Sequence, residues 1–339
     1  MEMDEETKRN CFQSKSPYVE KFLTYEISNG RDQRYLDLLW RWYEKSGNYD
    51  KAATLLSRLA DSTRPEVSLS QRFSYLSHAI MCAEASNDEK TRACLEDLRD
   101  KVEVARIQIS IRDCLKGLSN PSPAQREAIR TLDGPILPLQ DLLFNFAVPL
   151  DLFKIQLSIY HCGRLYHEDT IMDLWEKILD SELNINDDPA ERLRCSLKEL
   201  HSIFNRTKYF PTEWIVRRLL AKGATSRTID PSFYFDLIKD VSMSSNQFLN
   251  LLLDEYRNGD PFWSKDEFGQ KYIVKVGICH AEALLENPND LKRKAELVGS
   301  CEALLSAFSL DSRLVSATPS LRQLSSPLSV LLHRLNGLR

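Results

Sequence analysis

The sequence predicts an all-α fold, and three observations carry that prediction. Apolar residues recur three and four positions apart along almost the whole chain. Glycine is scarce: 11 of 339 residues, about half the usual share of roughly 7%. No stretch of alternating apolar and polar residues is long enough to read as a strand.

Taken in order, the opening MEMDEETKRN is acidic and polar, and residues 1–15 read as an unstructured start. Tyr35–Asp61 is the most informative stretch. Its apolar positions Tyr35, Leu38, Leu39, Trp42 and Tyr43 break at Gly47 and resume at Ala52, Leu55, Leu56 and Leu59. This predicts two amphipathic helices joined by a tight turn, with Gly47 left-handed and Asn48 or Asp50 capping the second helix. Leu39, Tyr43 and Ala52 stand where a degenerate tetratricopeptide unit has them, with Pro65 one residue late. Such a hairpin cannot bury its apolar face alone, so it predicts a stack of neighbours.

Ser68 with Gln71 resembles a capping box for a helix over Arg72–Ala85. The next proline-free run predicts one long helix from about Asp88 to Leu118, ended by Asn120-Pro121-Ser122-Pro123. A short helix follows through Ile129, and Gly134-Pro135 and Pro138 break the chain again. Leu139–Val148 and Leu150–Cys162 read as a pair split at Pro149, followed by Glu168–Leu183. Asp187-Asp188-Pro189 opens the next helix with acids at its positive end and proline in its first turn. Further helices are predicted at Thr212–Lys222, Ser232–Lys239, Asn246–Tyr256, Asp266–Glu286 and Asn289–Phe308, with a last one near Leu328–Leu335. Connections are short and helix spacings vary. The prediction is therefore one irregular α-solenoid of stacked helical hairpins over residues 16–310, with a Ser/Leu/Arg-rich tail over 311–339.

Composition narrows the function. With 45 basic and 49 acidic residues the net charge is −4, which gives no general pull toward nucleic acid or membrane. The sequence shows no basic start leading into an apolar run, and its apolar runs are too short to span a bilayer. The eight cysteines are spread without any CxxC pair. Most fall among Leu and Ile on helix faces and read as small buried hydrophobes in a reducing compartment.

Several segments resemble one family: the Tyr35–Asp61 hairpin, Ser68–Arg72, Asp97–Ile111, Leu157–Gly163, Tyr209–Val216 and Gly259–Lys265 (GDPFWSK). Their order and spacing are similar to the C-terminal α-solenoid of the large inner-ring scaffold nucleoporin of the nuclear pore complex. That family pairs an N-terminal β-propeller with the solenoid, and this chain resembles only the far C-terminal part. The resemblance implies a structural scaffold at the nuclear envelope that docks linker nucleoporins and other inner-ring scaffold nucleoporins and supports transport of protein and RNA. It implies no small-molecule substrate and no cofactor, and it makes any membrane association indirect, through the pore. A cytosolic helical-repeat adaptor, such as a vesicle-coat component, shares the architecture and is the alternative.

Chemistry finds little support. His161-Cys162 with His167 is the nearest approach to a metal or nucleophile cluster. Zinc needs about four converging ligands, and adjacent helix residues point apart, so a packed helix end is the better reading. Cys279-His280 reads the same way. The acidic pairs Asp187-Asp188, Asp254-Glu255 and Asp266-Glu267 read as helix starts or solvated faces. No metal, catalytic or cofactor-binding residue is assigned, and the sequence holds no phosphate-binding loop.

Arg192 to Arg227 is the one marked charge asymmetry: nine basic residues, interleaved with Phe204, Tyr209, Phe210 and Trp214. Such a mixture occurs at nucleic-acid surfaces. The acidic balance of the whole chain argues against direct nucleic-acid binding, leaving a solvated face or a protein-binding face. Trp214, Arg217, Arg218 and, from a loop, Trp263 are the candidate partner-binding residues.

Overall fold

The computed structural model describes residues 17–28, 33–184, 188–226, 229–258, 267–286, 294–310 and 325–336. Among these residues there is no β-strand, and most of them are helical. The predicted unstructured start, Asp187, Arg227 and Trp263 lie outside the described residues. The chain forms two compact units that part between Leu165 and Tyr166.

The first unit comprises α1 (Pro17–Ser28), α2 (Gln33–Lys45), α3 (Tyr49–Ala60), α4 (Leu69–Ala85), α5 (Glu89–Ala93), α6 (Leu95–Lys116), α7 (Pro123–Leu132), α8 (Leu139–Asp141) and α9 (Phe153–Cys162). Each of the first helices packs on its predecessor, and α6 then receives α4, α7 and α9. Gly47 turns the α2–α3 hairpin with φ 76°, a conformation that costs glycine nothing. Asn48 stands at the cap of α3, but neither it nor Asp50 bonds the helix end through its side chain. Ser68 and Gln71 do form the predicted box: Gln71 N–H donates to Ser68 Oγ, and Ser68 N–H donates to Gln71 Oε1. Leu56, Leu69, Leu76 and Ala79 are fully buried where these helices meet. Each buried leucine stabilises by roughly 1.5–3 kcal/mol.

Two predicted helices divide differently. The run from Asp88 to Leu118 is two helices, because Asp88 caps α5 through Thr91 N–H (2.9 Å) and Cys94 N–H closes a turn onto the Thr91 carbonyl. The Leu139–Val148 helix widens after Asp141 into a π-helical turn, Leu142–Ala147. Val148 N–H reaches five residues back to Leu143 (2.9 Å), and Pro149, lacking an N–H, cannot continue the ladder.

The second unit comprises α10 (Glu168–Leu183), α11 (Pro189–Phe204), α12 (Thr212–Ser226), α13 (Phe233–Asp240), α14 (Ser245–Asn258), α15 (Glu267–Glu286), α16 (Lys294–Leu310) and α17 (Ser325–Asn336). Asp188 caps α11, with Pro189 opening it. Helices α12, α13, α14, α16 and α17 all lie against α15. The loop between α11 and α12 is pinned from beneath: Trp175 Nε1–H donates to the Tyr209 carbonyl (2.9 Å), and Phe210 meets the Trp175 ring edge-on at 5.1 Å.

Candidate docking surfaces

In the first unit the α2–α3 hairpin forms one wall of a groove of about 750 Å³, closed by α5 and the start of α6. Its floor is apolar (Leu39, Tyr43, Ala53, Leu55, Leu98), and its rim mixes Lys51, Arg58 and Lys90 with Asp50 and Asp97. Helix α1 is fastened to this wall by Glu20, whose Oε1 accepts from the Tyr43 hydroxyl and from Lys51 Nζ, both at 2.9 Å. Burial and the neighbouring Glu20 push the Tyr43 phenol up to about 12, so it stays a donor. An apolar floor with a rim of both signs suits a short segment held by apolar anchors. No charged or aromatic signature in the sequence marks this groove; only the hairpin pattern could have located it.

The basic stretch of the second unit is largely neutralised by acids of neighbouring helices. Arg217 on α12 reaches α14, donating to Asp254 (2.8 Å) and Glu255. Its neighbours Arg218 (3.0 Å) and Lys222 (2.7 Å) bind Glu176 of α10, and Lys222 also holds Asp180 (2.6 Å). On α11, Arg194 and Lys198 share Asp240 at 3.1 Å each. Asp254 and Glu255, read from the sequence as solvated acids, are thus the partners of Arg217.

Of the interleaved aromatics, Phe204, Tyr209 and Phe210 are buried and Trp214 is half-buried. The Arg218 guanidinium sits 5.6 Å from the Trp214 ring centre. The structure therefore brings Trp214, Arg217 and Arg218 together on α12 as part of a paired-charge network; Trp263 lies outside the described residues.

His161 and Cys162 close α9, both half-buried. Burial lowers the His161 pKa; burial, with Glu103 and Asp100, raises that of the Cys162 thiol. That is the opposite of an activated nucleophile, whose thiolate must be favoured. Among the described residues no three His, Cys, Asp or Glu side chains converge as metal ligands. The cysteines depart from the prediction: Cys82 and Cys301 are buried, whereas Cys94, Cys114 and Cys195 are exposed. These three lie near helix ends or on outward faces, where local apolar neighbours in sequence are not neighbours in space.

Three relationships have no signature in the sequence: the wholly buried Arg72, the packing of Tyr272 onto Gly223, and the buried, unpartnered imidazole of His280.

Residues 4–320 match the Nucleoporin_C family, the non-repetitive/WGA-negative nucleoporin C-terminal region. Nuclear pore complex protein Nup154 of Drosophila melanogaster is 25% identical over 305 residues, covering 85% of this chain and 22% of that protein. A probable nucleoporin of Schizosaccharomyces pombe, C890.06, is 30% identical over 213 residues, covering 59% of this chain and 16% of that one. The chain thus spans less than a quarter of either relative. Among solved structures, the Nup170 C-terminal domain of Chaetomium thermophilum superposes with a TM-score of 0.77 at 17% identity, covering 98% of this chain and 69% of that one. The same domain in its complex with Nup145N gives 0.75 at 18% identity, covering 97% and 68%. These likenesses establish the irregular α-solenoid fold. The match over residues 4–320 establishes more: the chain belongs to the non-repetitive/WGA-negative nucleoporin C-terminal family.

Proposed function

We propose that this chain is a piece of the structural scaffold of the nuclear pore inner ring, resident at the nuclear envelope. It docks linker nucleoporin segments, contacts other inner-ring scaffold nucleoporins and so supports passage of protein and RNA. The observation that carries this reading is the apolar-floored groove beside the α2–α3 hairpin, an open slot in a helical stack. The structural relative solved with Nup145N supports it, since that protein shares this fold and takes such a partner.

In this reading the chain does no chemistry, takes no small-molecule substrate and meets the membrane only through the assembled pore. Among the described residues no helix is long and apolar enough to cross a membrane. Trp214, Arg217 and Arg218 form a second proposed contact face. Because their charges are already paired, a partner there would meet a nearly neutral surface with a half-buried indole.

The test is the distribution of the fluorescently tagged protein in cells, with the linker segment co-expressed. A nuclear rim is expected. Cytoplasmic vesicle puncta without a rim would replace this reading with the coat adaptor.

A further inference from the structure

We propose that the pocket beneath the α11–α12 loop is a binding site for a phosphate group, on residues that linker docking does not use. The pocket holds about 370 Å³ and is lined by His201, Asn205, Arg206, Thr212, Ser242 and Gln247 among others.

His201 gives the first indication. It is only 8% exposed, it lines the pocket, and its imidazole makes no hydrogen bond with any described residue. Its ring is fixed edge-on against Phe210 at 5.2 Å. Neither ring nitrogen is sealed from solvent, so the imidazole is open to a partner that enters the pocket.

Arg206 gives the second. Arg192, Arg194, Arg217 and Arg218 all hold carboxylates. Arg206, exposed on the pocket wall, has no acidic partner among the described residues. The fifteen-residue α12 also starts at this pocket, with Thr212, whereas the start of α14 is already capped by Ser244 Oγ, which accepts from Gln247 N–H. The first-turn amides of α12 bring partial positive charge. An always-charged guanidinium, an imidazole, two hydroxyls and the N-terminus of α12 make a donor set for an oxyanion with several acceptor oxygens.

Glu213 is the single acid in the lining, and it opposes the anion. A phosphate dianion would hold the imidazolium, which burial alone disfavours at His201. The phosphate could be the free ion or a monoester on a partner's serine.

The test follows the imidazole resonances of His201 in the whole chain, titrated with inorganic phosphate and, separately, with O-phosphoserine, against equal sodium chloride. Both phosphates should shift the resonances saturably, and the pKa of His201 should rise on binding. Arg206→Gln should weaken binding about tenfold, and Glu213→Gln should strengthen it, with the thermal midpoint unchanged in both exposed variants. Tighter binding of phosphoserine would assign the site to a phosphorylated partner; equal binding would assign it to the free ion. Shifts no larger than with chloride, or an Arg206→Gln protein that binds as well as the parent, would overturn the proposal. Linker binding can be lost at the α2–α3 groove without altering any of these readings.

Discussion

Arg72 Nη1 donates to the carbonyl of Ala60 at 2.8 Å, from a side chain with no exposed surface. The same guanidinium donates to the carbonyls of Val67 (3.2 Å), Arg64 (2.8 Å) and Ser62. The last carbonyls of a helix have no partner within it. Arg72 of α4 therefore plugs the C-terminus of α3 and the loop that follows. It joins the hairpin to the next helix of the stack without any carboxylate.

Arg72→Leu should lower the stability of the chain by at least about 3 kcal/mol, since it strands several buried acceptors at about 1–3 kcal/mol each. Urea denaturation followed by circular dichroism reads the change. A loss below about 1 kcal/mol would mean that the loop rearranges to find water.

Gly223 is a second point of close approach. A methyl group there would meet the ring and hydroxyl of Tyr272, which is itself held by the Ile229 carbonyl (2.9 Å) and lies 3.3 Å from the Tyr234 hydroxyl. Gly223→Ala should therefore cost about 1–3 kcal/mol through overpacking, although alanine is the better helix former. Thermal melting would decide the matter, a stabilised variant being the contrary result.

His280 predicts a pH response. Its ring lies 4.9 Å from that of Phe248 and 5.5 Å from that of Phe235, with both nitrogens unpartnered. Burial, with help from Lys239, lowers its pKa to about 4. Unfolded histidine titrates near 6.5, so the unfolded chain takes up the proton first as pH falls. This group's contribution is complete above pH ~6.5 and is lost between pH ~6.5 and ~4, on the order of 3 kcal/mol in all. His280→Leu should flatten that part of the stability–pH curve measured by urea denaturation. An unchanged slope would assign the acid sensitivity elsewhere.

The legible parts of this fold are those written in short-range pattern. The α10 boundaries Glu168–Leu183, the Ser68–Gln71 box and the Gly47 turn each depend on residues within a few positions of one another. What the sequence concealed depends on distant partners. Nothing around Arg217 announces Asp254 and Glu255, and nothing around Arg72 distinguishes it from a surface arginine, because its acceptors are backbone carbonyls. The break at Cys94 and the π-helical turn before Val148 arise from hydrogen-bond choices to which apolar periodicity is blind. The groove was half legible: the hairpin shows in the sequence, whereas the wall supplied by α5 and α6 does not.

The most direct measurement of the central claim is calorimetric titration of the chain with a Nup145N-type linker segment, repeated with Leu55→Glu and with Thr54→Glu. Thr54 is exposed and Leu55 half-buried in the groove lining, so both variants should fold while charging the groove. Saturable binding to the parent chain is expected, weakened at least about tenfold by either variant, or about 1.4 kcal/mol. Equal affinity for parent and both variants would contradict it, as would the absence of binding to the parent.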